Sequence, residues 1–223
     1  MTLEKERNPD RSRAAILDAA ESLFAEKGYD ATSLHDVGAM AGVSRGTPGY
    51  FFGSKADLYR AVLDRMFAEV RDAVRAGRER ALASNRSAES ILAGAVSDYF
   101  DFLAARPNFI RLIEREALAS DSPLGGGGEG HLTAGQEALA AISAELGLDD
   151  APSGEASQLL LSIIALCWFP LIHARTVARA VGVSLADSAD LDRRRHHVID
   201  LVLHGLSGLG GPVPTLNPAA THD

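Results

Sequence analysis

Cys167 and His173 are a pair whose types invite nucleophilic chemistry, a thiol with an imidazole as its base. They lie six residues apart in a helical stretch and share no face well. The apolar run around Cys167 raises a thiol pKa and disfavours the thiolate. The nucleophile, base and orienting group of a helical enzyme are not assembled anywhere in the sequence. His196, His197 and His204 raise the question of a metal. His197 and His204, seven apart, fall on one helix face, but the spacing places no further ligand. A solvated polar face is the better reading, and neither a metal nor a cofactor is expected. One cysteine in 223 residues excludes an intrachain disulfide framework.

The stretch with more specific chemistry is 33–55, SLHDVGAMAGVSRGTPGYFFGSK. Arg45, Thr47, Tyr50 and Lys55 carry the hydrogen-bonding and charged groups that meet phosphates and base edges. Two short helices must present them. Ser33 with Asp36 three residues on forms a capping-box pattern that opens the first, over Leu34, Val37 and Met40. Gly42 supplies the positive φ that the turn Ala41-Gly42-Val43 needs. Ser44 is placed to cap the second helix and to aim its N-terminus at a phosphate. This is helix-turn-helix spacing. Pro48-Gly49 reads as a turn signal inside that second helix. Ser54 and Asp57 repeat the capping pattern and open a long helix to about Arg80, with Lys55 in its first turn.

Composition frames these residues. Hydrophobic residues are 46% and charged residues 23%, ordinary for a globular chain of one or two domains. Net charge is −8. Residues 1–60 hold eight Lys/Arg against nine Asp/Glu, whereas the rest holds 14 against 21, so the acidity sits after the helix-turn-helix segment. The opening MTLEKERNPDRSR has no apolar h-region, and the longest apolar run, 159–172, is too short for a bilayer, so a cytoplasmic protein is expected. Arg7, Arg11 and Arg13 read as a frayed charged terminus or a minor-groove arm.

Helical periodicity recurs throughout, and no strand alternation appears. Helices are expected over Ser12–Lys27, Ala88–Ala105, Pro107–Leu118, His131–Leu146, Glu155 to about Val181 and Asp187 to about Leu209. Residues 120–130, SDSPLGGGGEG, read as a loop, 149–154 as a turn, and the Pro/Gly/Ala-rich tail as disordered.

Residues 13–63 resemble the N-terminal domain of tetracycline-repressor-type (TetR family) regulators. The matching pieces are ILDAAESLFAEKGY, Thr32-Ser33, Ala41-Gly42-Val43-Ser44, Gly46-Thr47 and Phe52-Gly53-Ser54-Lys55 followed by Leu58. The chain departs at Pro48 and Gly49, where the family carries an apolar residue and then an aromatic. That shifts the aromatic contact to Tyr50. The resemblance implies an all-α fold: a three-helix helix-turn-helix domain over 1–57, a helical ligand-binding and dimerisation domain over 58–210, and the tail over 211–223. It implies a homodimeric transcriptional regulator, by default a repressor, bound to double-stranded operator DNA and released by a small hydrophobic effector. The expected DNA contacts are Ser33, Ser44, Arg45, Gly46, Thr47, Tyr50 and Lys55. A constitutive DNA-binding protein and a helical enzyme are the alternatives.

Trp168, Phe169, Tyr99, Phe102, Phe109 and Ile113 cluster as candidates for an effector pocket. Pro170 is expected to kink their helix and open space beside it. His173 is placed to give one orienting hydrogen bond in an apolar cavity. The apolar stripes of the last two helices, Leu160 and Ile164 on one and Leu191, Val198, Val202 and Leu206 on the other, are the expected dimer interface.

Overall fold

The computed structural model describes residues 9–83, 87–118, 135–140 and 154–208. Every regular element among them is helical, as the periodicity requires. In chain order these are α1 (Pro9–Lys27), α2 (Leu34–Met40), α3 (Thr47–Phe52), α4 (Lys55–Ala83), α5 (Ala88–Ala105), α6 (Pro107–Leu118), α7 (135–140), α8 (Glu155–Ile172) and α9 (Ser188–Gly208).

α1 begins at Pro9, three residues before the expected start, because proline in a first turn gives up an N–H that has no helical partner anyway. Its inner face buries Ile16, Ala20, Leu23 and Phe24 against Val37 of α2 and Leu58 and Val62 of α4. Its C-terminus is closed by Gly28 at φ +87° and by Thr32, whose hydroxyl donates to the Gly28 carbonyl at 2.8 Å.

α1 packs against α2, α3, α4 and α6, while α4 lies along α5. α5 in turn meets α6, α8 and α9, and α8 meets α6 and α9. At 29 residues α4 is about 43 Å long at 1.5 Å per residue, so it runs from the helix-turn-helix segment into the second half of the fold.

α8 contains Pro170 and ends at Ile172, not near Val181. A turn at His173 and a π-helical turn, Ala174–Ala178, follow it. The proline removes the N–H that would bond the Leu166 carbonyl, and the regular ladder stops within three residues. The 120–130 loop, most of the 131–146 helix, the 149–153 part of the turn, the 211–223 tail and Arg7 lie outside the described residues.

Candidate functional site

Ser33 caps α2 with a complete capping box. Its hydroxyl accepts the Asp36 N–H at 3.2 Å, and Asp36 accepts the Ser33 N–H at 3.2 Å. The hydrogen bonds from Ser33, its side chain first, hold the Asp36 carboxyl below its usual pKa. Gly42 has φ +66°, the left-handed conformation this turn requires. On α3 Tyr50 is 85% exposed, and Arg45 in the turn before it is exposed too.

Ser44 does not cap α3. The helix starts at Thr47 with Gly46 as N-cap and no side-chain cap, and Tyr50 N–H makes the bond to Gly46 O at 3.0 Å. Ser44 instead lies 2.5 Å, Oγ to Oγ1, from Thr47, and its carbonyl accepts the Thr47 N–H. Pro48 sets this start: its fixed φ suits a first turn, and its ring is buried against α2. A Cβ added at Gly38 would stand 3.4 Å from Pro48 Cγ. The recognition segment is therefore six residues long and presents Arg45 from the turn before it, not from a helix.

Lys55 has partners within the protomer. Its ammonium donates to the Tyr29 carbonyl at 3.0 Å and lies 4.2 Å from the centre of the Tyr29 ring. The turn that follows α1 thus holds Lys55 through a backbone carbonyl and an aromatic ring. Arg11 and Arg13 lie within α1, not in a frayed terminus or an extended arm, and the Arg13 guanidinium sits over the Phe52 ring at 4.9 Å. Ser54 and Asp57 open α4 with the second capping box, and the hydrogen bonds from Ser54 lower the Asp57 pKa.

A cavity of about 500 Å³ lies between α4, α5, α6, α7 and α8. Tyr99, Phe109, Ile113, Trp168, Phe169 and His173 line it, as does Leu161. Phe102 does not; it backs Phe109 edge-on, ring centres 5.6 Å apart. Phe67, Val70 and Val74 of α4 line the cavity and were not singled out in the sequence, because apolar positions on a charged helix read as ordinary core. Glu114 was missed too. It faces the cavity and accepts the Trp168 indole N–H at 2.5 Å. His173 Nδ1 lies 3.3 Å from the Thr176 hydroxyl. Burial pushes the Cys167 thiol up to about 12, which keeps it protonated at neutral pH.

The expected dimer residues are placed differently. Val198 and Val202 are sealed inside the protomer, and Leu160 and Ile164 face the cavity. Leu191 packs on the protomer's own core. The side chain of Leu206 lies outside those described. The large apolar groups of these two helices that reach solvent are others: Leu161 (61% exposed), next to Leu160, and Phe169 on α8, and Leu201, next to Val202, on α9.

α6 touches both regions. Ile113, Glu114 and Ala117 border the cavity. Arg115 between them donates to the Ala25 and Glu26 carbonyls at the end of α1, at 3.3 and 3.0 Å. Glu116 accepts the Tyr59 hydroxyl of α4 at 2.8 Å. Among the described residues, no helix is long and apolar enough to cross a membrane.

The α2–turn–α3 unit on an all-helical body defines a helix-turn-helix DNA-binding protein. Residues 16–62 match the model of bacterial regulatory proteins of the tetR family, and residues 151–202 match that of a tetracyclin repressor-like C-terminal domain. Both models are of TetR-family regulators and support a TetR-family reading of this chain; members of that family are DNA-binding transcription factors, not enzymes, and typically dimerise. The HTH-type transcriptional activator FasR of Mycolicibacterium smegmatis is 34% identical over 104 residues, which cover 47% of this chain and 46% of that protein. This chain therefore matches less than half of that relative's length. The HTH-type transcriptional repressor NicS of Pseudomonas putida is 26% identical over 210 residues, 88% of this chain and 93% of that protein. The fatty acid degradation regulator FadR of Bacillus halodurans has the same fold, with a TM-score of 0.64 at 18% identity over 86% of this chain and 98% of that one.

Proposed function

We propose that this chain is a cytoplasmic, homodimeric repressor that a mainly apolar or aromatic small molecule releases from its operator. Residues 1–57 serve as the DNA-binding domain and 58–210 as the effector-binding and dimerisation domain. Arg45, Thr47 and Tyr50 meet bases or phosphates directly. Ser33, Ser44 and Gly46 shape the turn and helix ends that carry them, and Lys55 adds charge beside the backbone. Two copies joined through the exposed faces of α8 and α9 set the recognition helices at half-sites about 34–36 Å apart.

The observation that carries the effector reading is the double engagement of α6. Ile113, Glu114 and Ala117 face the cavity within the same turn whose Arg115 and Glu116 hold α1 and α4. A ligand that displaces α6 then changes the spacing of the recognition helices, with α4 as the lever. Such couplings amount to about 1–3 kcal/mol, or 5–150-fold in affinity. NicS is named a repressor and FasR an activator, so both directions of control exist among relatives. Repression follows where the operator overlaps the promoter.

The test is binding of the purified protein to DNA from its own promoter region across a salt series, with Arg45→Ala alongside. Sequence-selective binding with a steep salt slope, lost in the variant and relieved by an apolar ligand, is the expected result. Selective binding that no cavity ligand relieves leaves a constitutive regulator; unselective binding overturns the operator reading.

A further inference from the structure

We propose that the cavity selects a lipophilic cation, a hydrophobic amine, quaternary ammonium or delocalised cation, with Glu114 as its counter-ion. The inference rests on the reading of the cavity as a ligand site and adds the charge of the ligand.

The cavity, at about 500 Å³, falls in the range of drug-sized sites. Apart from Glu114 and His173 its described lining is aliphatic and aromatic, and it contains no Lys or Arg; the one residue that carries a formal charge at neutral pH with His neutral is Glu114. The two sequence segments that flank α7, 119–134 and 141–153, contain no Lys or Arg either. Among the described residues Glu114 makes no ion pair; its hydrogen bond is the one from Trp168 Nε1. That bond does not require a charge, because a neutral amide oxygen would satisfy an indole N–H equally well. A carboxylate set into an apolar wall costs desolvation free energy unless a cation or several donors compensate it. Glu114 accepts one donor and retains the capacity to accept more.

The neighbouring rings complete a cation site. Trp168 stands edge-on to Phe109, ring centres 5.6 Å apart, and both line the cavity with Tyr99 and Phe169. A cation next to Glu114 meets a carboxylate in a wall rich in aromatic rings, and both kinds of group attract it. An amphiphile with an anionic head meets the reverse. Its apolar tail fits the lining, but its head is repelled by Glu114, and the described lining offers it no Lys or Arg. Because Glu114 adjoins Arg115, a charge held there acts on the turn of α6 that grips α1.

Tetraphenylphosphonium and tetraphenylborate have nearly the same shape and opposite charge. Each is titrated into the full chain, wild type and Glu114→Gln, with the fluorescence of Trp168, the sole tryptophan, as readout. Glutamine keeps the acceptor for the indole, so thermal melts of the two proteins should agree. The expected result is that Glu114→Gln weakens the cation by at least about tenfold and leaves the anion unchanged or tighter, as loss of a partly buried unit charge requires. Comparing the variant's effect on each ion cancels their different intrinsic hydrophobicity. An equal effect on both ions, or no loss for the cation, overturns the proposal. Binding of neutral N-phenyl-1-naphthylamine with no binding of the phosphonium overturns it too, while sparing the cavity as a ligand site. Release of operator DNA is read separately. Selective cation binding without release supports this inference and overturns effector control.

Discussion

Arg194 of α9 donates from Nη2 to the Leu166 carbonyl of α8 at 3.2 Å, and that carbonyl is the one whose helical partner would be residue 170. Pro170 has no N–H to give, so a neighbouring helix supplies the donor. The arrangement is not free of cost, since Arg194 Nε is buried without a partner. The two sites should therefore be coupled. Arg194→Met strands a part-buried carbonyl, whereas the same change in a Pro170→Ala background leaves Leu166 bonded within its own helix. Urea denaturation of the four proteins should give a coupling of about 1 kcal/mol, with Arg194→Met costing less when Pro170 is also replaced. Additive effects would dissociate the two residues.

Arg45 and Lys55 should separate in the balance of affinity and stability. Arg45 is exposed in the turn, so Arg45→Ala should lower DNA affinity and reduce the salt slope by about 1 with the melting temperature unchanged. Lys55 holds two carbonyls in the turn after α1, Tyr29 O at 3.0 Å and Asp30 O at 3.4 Å. Lys55→Ala should therefore lower the melting temperature and DNA affinity together, across all sequences alike. Operator titrations at several salt concentrations, run beside thermal melts, decide the matter. A Lys55→Ala protein that melts like wild type would return Lys55 to a purely phosphate-facing role.

The dimer surface can be assigned by one position on each helix. Leu161→Glu with Leu201→Glu places charges where the protomer exposes apolar groups, and sedimentation should then show a monomer with its helicity intact. Val198→Asp places a charge where no solvent reaches, and circular dichroism should show loss of folded structure. A folded dimeric Val198→Asp protein would contradict the packing of α9 on α5.

These contrasts show which features the sequence could reveal. Ser33–Asp36, Gly42 and Ser54–Asp57 were legible because a capping box and a left-handed turn are settled within four residues. The start of α3 was not, because it depends on Pro48 seating against Gly38, a contact between helices. The stripes of α8 and α9 were legible as apolar but not as inner or outer. A helix turns 100° per residue, so Leu160 and Leu161 present different faces, and sequence alone does not say that both border the cavity while Leu161 also reaches solvent. The cavity was half legible. Trp168, Phe169 and Tyr99 announce themselves as aromatics, while Glu114 sits in the charged run Arg111–Glu116 and looks like surface. Only the indole N–H it accepts reveals where it faces.

Acid should weaken the helix-turn-helix through its two capping boxes. Asp36 and Asp57 have their carboxyls held below the ordinary value by hydrogen bonds from Ser33 and Ser54, side chain first and backbone second. A carboxyl whose folded pKa is depressed contributes its full stability above the unfolded value, near 4, and loses it as pH falls through the folded value. The window is therefore below about pH 5, and neutral or alkaline conditions leave the boxes intact. In the Asp36→Asn, Asp57→Asn double variant the melting temperature should lie below wild type at pH 7 and approach it near pH 2, so that the two curves converge as acid is added. Parallel curves across that range would mean that the caps hold equally well when neutral. Convergence would tie the acid sensitivity of α2 and α4, the helices that frame the recognition segment, to the two residues that open them.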